Sequence, residues 1–113
     1  MMIEKIIISY LNGVSGLPKA YMMRPEPLPQ RYILVEKTGS RVRNHIMTST
    51  VAFQSYGPTL LDAATINEQV KEAVESMLEL DEVTSVKLDS DYNYTNTASK
   101  QPRYQAVFNI THY

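Results

Sequence analysis

The amphipathic segment from Thr59 to Glu79 places the strongest constraint on how this chain can fold. Thr59 is placed to cap the N-terminus of a helix, and Asp62 three residues later takes the acidic position of a capping box. The apolar residues that follow recur at helical spacing and are Ala63, Ile66, Val70, Ala73, Val74 and Met77. Because this helix has a single apolar face, we expect it to pack against another layer of structure.

The segments on both sides of this helix have the residue pattern of β-strands. The predicted strands are Arg31–Lys37, Val42–Met47, Thr48–Tyr56, Val83–Leu88 and the alternating run Tyr104–His112. The order of elements predicts an α+β fold. We expect a mixed, mostly antiparallel sheet, with an N-terminal helix and the long central helix packed on one face.

Glycine, proline and polar clusters mark the predicted connections. The N-terminal helix begins near Ile3 and is expected to stop at Gly13, and the proline-rich segment after it allows only a short extended piece over Ala20–Met23. Thr38-Gly39-Ser40 has turn chemistry and is predicted to close a β-hairpin. Asp89–Pro102 is predicted to form a polar loop.

Chain length and composition limit the kind of site that can be built. The 113 residues, of which 43% are apolar, predict a single domain spanning residues 1–113 with one core. The chain has no cysteine, which excludes disulfides, thiolate nucleophiles and cysteine-based zinc sites, and favours an intracellular protein. The first residues lack the basic region of a signal peptide and a membrane-spanning length, so we expect no membrane association.

Each motif that suggests catalysis or metal binding lacks its necessary partners. Lys37-Thr38-Gly39 matches one element of the serine β-lactamases, but the S-x-x-K and S-D-N elements are absent. Asp89–Asn93 matches the start of a calcium loop, but Tyr94 and Lys100 stand where glycine and glutamate are required. The sequence therefore predicts no catalytic residue, no cofactor and no metal site.

The two histidines do not change that prediction. His45 and His112 are the only imidazoles, and neither has a second ligand at metal spacing. Each ends a predicted strand, so we expect both at an edge or on the surface of the protein. Since cysteine is missing, histidine is scarce and every motif is incomplete, the chain is not expected to be an enzyme.

Charge is unevenly distributed along the chain, although the formal net charge is only −1. The long helix carries an acidic row on the side opposite its apolar stripe, made of Glu68, Glu72, Glu75 and Glu79. The predicted hairpin is basic through Arg31, Lys37, Arg41 and Arg43. Both sets are either solvated faces or two surfaces that meet in a complex of neighbouring copies.

Sequence-specific nucleic-acid binding is not supported. Tyr32, Tyr92, Tyr94 and Tyr104 could stack on bases, but no RNP pattern, GxxG loop or zinc knuckle accompanies them. What remains is non-specific contact between the basic hairpin and the DNA backbone, which needs only electrostatic attraction.

The order of segments resembles a known family. The similarity is most specific over Tyr32–Ser40 ("YILVEKTGS") and Val51–Ala64, which includes "VAFQSYGPT". A helix of the type "DAATINEQVKEAVESM" and a closing strand complete a layout that covers roughly residues 3–112. In these features the chain resembles the tail terminator, or tail completion, proteins of long-tailed bacteriophages and prophages.

The resemblance implies a structural role in the virion. Proteins of that family form rings, usually hexamers, that cap the head-proximal end of the tail tube, stop its growth and present the tail to the head connector. It implies as partners other copies of this chain, the major tail tube protein and the head connector protein, with DNA in the lumen and assembly in the host cytoplasm. The alternatives are a head–tail joining or minor capsid protein, or a small cellular ligand-binding α+β domain.

Overall fold

The computed structural model describes residues 2–98 and 100–113 and consists of two helices packed on a five-stranded sheet. The elements in chain order are α1 (Ile3–Asn12), β1 (Ala20–Tyr21), β2 (Tyr32–Arg43), β3 (Ile46–Tyr56), α2 (Leu60–Glu75), a 3₁₀ helix (Ser76–Glu79), β4 (Val83–Asn93) and β5 (Arg103–His112). This confirms the predicted α+β class, with an N-terminal helix and one long helix against the sheet.

The sheet is mixed, but most of its pairing is antiparallel. The strand order is β1-β2-β3-β5-β4, and the three pairs β2–β3, β3–β5 and β5–β4 are antiparallel. The two-residue β1 runs parallel to β2 and covers only the first part of that strand, through the pairs Ala20↔Ile33 and Tyr21↔Leu34. The second half of β2 therefore forms one free edge of the sheet, and β4 forms the other.

The core lies between the helices and one face of the sheet. From α1 it takes Ile3, Ile7 and Leu11, which are all buried. From α2 it takes the predicted stripe, and Met77 in the following 3₁₀ helix is fully buried as well. Phe53 and Phe108 meet edge to face at the centre of the sheet, with their ring centroids 5.8 Å apart.

Thr59 caps the start of α2 as predicted, but the Asp62 carboxylate bonds the Thr59 hydroxyl, whereas a capping box uses the Thr59 backbone amide. The Thr59 hydroxyl oxygen accepts a hydrogen bond from the Asp62 amide at 3.1 Å, and the same hydroxyl donates to the Asp62 carboxylate at 2.9 Å. Gly57 lies directly beneath this cap, and a Cβ on it would stand only 2.8 Å from the Asp62 Cβ. The tight approach of strand β3 to the helix therefore depends on a residue without a side chain.

The predicted turn at Thr38-Gly39-Ser40 is wrong. Strand β2 continues through these residues to Arg43, and the chain reverses at Asn44 and His45, whose φ angles are 52° and 66°. Positive φ at both central residues of a two-residue loop is the geometry that matches the twist of a hairpin, and asparagine tolerates it. Thr38 is the extra residue of a bulge-like irregularity in β2, since the pairing register with β3 shifts between Lys37 and Gly39.

The predicted polar loop over Asp89–Pro102 is also partly wrong. Strand β4 extends to Asn93, which pairs with Tyr104, so the connection begins only at Tyr94. The second half of β4 has no apolar alternation because both of its faces are largely exposed at the sheet edge. Strand β4 instead pairs along the regular strand β5, with two register shifts in the pairing.

Candidate interaction surfaces

The acidic row on α2 and the 3₁₀ helix is exposed, but its members differ in what they contact. Glu68 is paired with Lys71 at 3.0 Å, and the same ammonium group lies 3.1 Å from the Asp91 carboxylate. Glu79 accepts a hydrogen bond from the Tyr10 hydroxyl at 3.1 Å. Within residues 2–98 and 100–113, the carboxylates of Glu72 and Glu75 form neither an ion pair nor a hydrogen bond.

Two of these contacts change proton affinity. The hydrogen bond to Glu68 raises the pKa of Lys71 above its ordinary value of 10.5, with Asp91 adding to the effect and burial opposing it. Burial raises the pKa of Tyr10 above its ordinary value of 10.0, and the hydrogen bond and negative charge of Glu79 add to it. Both groups therefore hold their protons more tightly in the folded chain.

The four cations of the predicted basic hairpin do not form one patch. Arg31 precedes β2 and lies 3.5 Å from Asp62, while Lys37 lies 3.9 Å from Glu4 without a hydrogen bond between them. Arg31 and Arg41 are ten residues apart in sequence, about 33 Å along an extended strand. The structure thus places half of the predicted set beside acids of the same chain, away from the hairpin tip.

The tip of the hairpin is the exposed end of β2 and β3, from Arg41 to Ile46. Arg41 and Arg43 are exposed there, and in the described part of the chain neither forms an ion pair or a side-chain hydrogen bond. Val42 and Ile46 are also exposed, at 63% and 38% of their surface. The tip therefore combines two unpaired cations with exposed apolar side chains, of which Ile46 shares a face with Arg43.

A groove of about 350 Å³ runs between the end of α1 and the outer side of α2. Tyr10, Val14 and Leu17 line one wall, and Gln69, Glu72 and Ala73 are among the residues on the other. Glu72, one of the two members of the acidic row without a partner in the described residues, thus lies in a depression that also exposes apolar surface. An adjacent groove beside Lys5, Ile6 and Leu80 shares Tyr10 with it.

The prediction that His112 lies at an edge or on the surface is wrong. His112 is 2% exposed, and its Nε2 shares a 2.8 Å hydrogen bond with the hydroxyl of Ser49, which is fully buried. The alternation of β5 could have predicted this burial, since His112 falls on the same side of the strand as Phe108 and Ile110. His45, by contrast, is exposed at the hairpin turn.

A hydroxyl hydrogen-bonded to an imidazole is a pair that nucleophilic catalysis uses, but Ser49 and His112 are both buried in the core. Neither side chain has the surface that a substrate carbonyl would need to approach. The other imidazole nitrogen lies 3.2 Å from the Tyr113 carbonyl oxygen. The pair therefore satisfies two buried polar groups, which is a structural role.

The sheet face that no helix covers is polar and largely satisfied by its own contacts. Neighbouring strands are joined across it by hydrogen bonds between Thr48 and Thr111, Thr50 and Asn109, and Gln54 and Gln105. These cross-strand pairs stabilise the sheet on this face.

The tyrosines considered for base stacking have partners in the fold. Tyr32 is fully buried and stacks on Tyr56 at 4.4 Å between ring centroids. Tyr92 and Tyr94 are exposed but meet edge to face, and the Arg103 guanidinium lies 4.3 Å from the Tyr94 ring centroid. A stacking platform of free aromatic faces is therefore not assembled from these residues.

Two further features are absent from residues 2–98 and 100–113. No group of three or more histidine, aspartate or glutamate side chains is arranged there to hold a metal ion. No helix in the same ranges is both long and apolar enough to cross a membrane. In comparisons with known proteins, no protein family and no curated protein matches the sequence.

Proposed function

We propose that this chain is a structural virion protein of the tail terminator type. In this role it assembles into a ring, hexameric in the family it resembles, that caps the head-proximal end of a phage tail tube. The cap stops tube growth and joins the tail to the head connector. The tube protein and the connector are its partners, and DNA passes through the lumen.

The observation that carries this proposal is the separation of two unlike surfaces on one chain. The hairpin tip carries Arg41 and Arg43, while helix α2 carries Glu72 and Glu75, and neither pair forms an ion pair within the described residues. A surface that complements a different surface on the next copy gives heterologous association, and such association closes into a ring when the rotation fits.

A small-molecule function has less support. The grooves on the helix layer have one or two charged residues each, and the hydroxyl–imidazole pair is buried. Ligand sites usually combine an enclosed pocket with several converging polar groups. A head–tail joining role requires the same kind of ring and differs from termination only in which partner the ring binds.

The test is to mix the purified chain with tail tubes assembled from the tube protein encoded in the same genome, and to image the mixture by electron microscopy. We expect a ring at one end of each tube and no further growth when tube subunits are added. A ring that binds the connector and ignores tubes would support joining instead. A chain that stays monomeric and binds neither partner would overturn the proposal.

A further inference from the structure

We infer that the hairpin tip of one copy seats in the α1–α2 groove of the next copy. This inference rests on the proposed ring and names its contact: Arg41 and Arg43 face Glu72 and Glu75, while Ile46, which pairs with Arg43 and leaves the same face, covers the apolar wall of the groove. The occupant of the groove is thus a second copy of this chain.

The tip is free to reach a neighbour. The last rung between β3 and β5 joins Met47 to His112, whereas β2 and β3 remain paired one rung further, at Arg43↔Ile46, before the turn. On its other side, β2 pairs with β1 at Ile33 and Leu34, and within the described residues no strand pairs with it beyond Leu34. The last pair of the hairpin and its turn therefore project past β5, and the side chains of Arg41, Arg43 and Ile46 are exposed.

The tip cannot fill the groove of its own chain. Lys37 lies beside Glu4 near the start of α1, and Arg43 is six residues further along β2, about 20 Å away. The groove lies at the opposite end of α1, where Tyr10, Val14 and Leu17 form its wall. The two surfaces of one copy therefore point to contacts with different neighbours.

Charge and spacing match between the two surfaces. Arg41 and Arg43 are two residues apart on a strand, so their side chains leave the same face about 7 Å apart. Glu72 and Glu75 are three apart on a helix, which brings their Cβ atoms to about 5–6 Å. Both arginines can thus meet a carboxylate at the same time, in the charge-assisted geometry that arginine favours.

The contacts within the chain also identify which acids take part. Glu68 forms an ion pair with Lys71, and Glu79 accepts a hydrogen bond from the Tyr10 hydroxyl. Only the two central members of the acidic row keep unpartnered carboxylates in the described residues, and Glu72 lines the groove itself. The negative charge of this site would repel a small anion, whereas a basic, partly apolar tip is complementary to it.

The test exchanges the charges of the two surfaces in separate variants. One variant carries Arg41→Glu and Arg43→Glu, and the other carries Glu72→Arg and Glu75→Arg. Each variant alone places like charges in the contact, so we expect its ring fraction to fall more than about tenfold in mass photometry or on capped tubes. An equimolar mixture of the two restores opposite charges at every contact of an alternating ring and should assemble again.

Controls separate this contact from general effects of charge. Glu68→Gln changes the same helix face by one charge and should leave assembly unchanged, and circular dichroism confirms that each variant is folded. Assembly of either reversed variant at the wild-type level, or failure of the mixture, would overturn the inference while the wild-type ring stands. A wild type that neither forms rings nor caps tubes would instead overturn the proposed function.

Cross-linking gives a second test that does not depend on charge. The chain has no cysteine, so Ile46→Cys with Gln69→Cys introduces the only thiols, one on the arginine face of the tip and one in the groove. Oxidation of assembled rings should join neighbouring copies into a ladder of covalent oligomers. The pair Ile46→Cys with Leu61→Cys, whose second thiol lies on the first turn of α2, should not cross-link. The opposite result would place the tip elsewhere.

Discussion

The hydrogen bond between Ser49 and His112 is the residue-scale contact whose loss we expect to be most costly. Ser49→Ala removes the partner of a buried imidazole nitrogen that water cannot reach, so we expect a loss of about 1–3 kcal/mol in the free energy of unfolding. Urea unfolding measures it. Thr50→Ala is the matched control, because it removes a hydrogen bond to Asn109 on the helix-free face, where water can replace it. Equal losses in both variants would contradict this account.

Tyr10 and Lys71 make stability depend on pH in the alkaline range. Both pKa values are raised on folding, so the unfolded chain releases these protons at lower pH than the folded one. Their contribution is complete below the ordinary values of 10.0 and 10.5, and it is lost as pH rises through the folded values. We expect urea midpoints to fall above about pH 10.

Variants identify the source of that dependence. The stability advantage of the wild type over Tyr10→Phe should shrink between about pH 9 and pH 11, since phenylalanine has no proton to release. Glu79→Gln keeps a hydrogen-bond acceptor without the negative charge, and it should weaken the dependence in part. The stability advantage of the wild type over Lys71→Met should likewise shrink as the pH rises above about 10. Parallel pH curves for wild type and Tyr10→Phe would contradict the assignment.

At the scale of elements, the hairpin shows where sequence patterns are ambiguous. Glycine within a polar triplet is a turn signal, which favours a reversal at Gly39 over one at Asn44 and His45. In the fold, Gly39 has no positive φ, and a Cβ added to it would meet nothing within 4 Å. The backbone at this position therefore does not require glycine. Strands with exposed faces give no apolar alternation to correct such an error, and for the same reason the predicted β4 is too short.

Helix α2 and strand β5 are predictable for the opposite reason. Their apolar residues face the core on one side only, so periodicity and burial coincide over many residues. The candidate site is predictable only in part. The acidic row and the tip arginines are visible in the sequence, but the pairing of Glu68, Arg31 and Lys37 within the chain depends on tertiary contacts.

Two substitutions distinguish the observed turn from the predicted one. Gly39→Ala should change the free energy of unfolding by less than about 1 kcal/mol, because a strand accepts alanine where space is open. His45→Gly should stabilise the hairpin by up to about 1 kcal/mol, since glycine adopts the positive φ at that position without strain. Thermal unfolding measures both. A strongly destabilising Gly39→Ala together with a neutral His45→Gly would place the turn back at Gly39.

At the scale of the whole molecule, the sheet edges limit how copies can associate. The free edge strand β4 carries two register shifts and the charged residues Lys87, Asp89 and Asp91. The free part of β2 has its own register shift at Thr38. Irregular, charged edges disfavour pairing of strands between chains. Side-chain contacts between the tip and the helix layer are therefore a more suitable basis for a ring than a continuous sheet.

The remaining alternative is that Arg41 and Arg43 face DNA in the lumen and do not contact a neighbouring copy. Measuring the binding of duplex DNA before and after ring assembly distinguishes these two arrangements. If the tip seats on a neighbour, free chains bind DNA weakly through these arginines, with a logarithmic salt slope of about −2, and assembled rings lose that binding. Fluorescence anisotropy with a short duplex measures both states, and Arg41→Ala with Arg43→Ala should abolish the slope in the free chain. Rings that bind DNA more tightly than free chains, and lose this binding in the double variant, would place the arginines on the lumen.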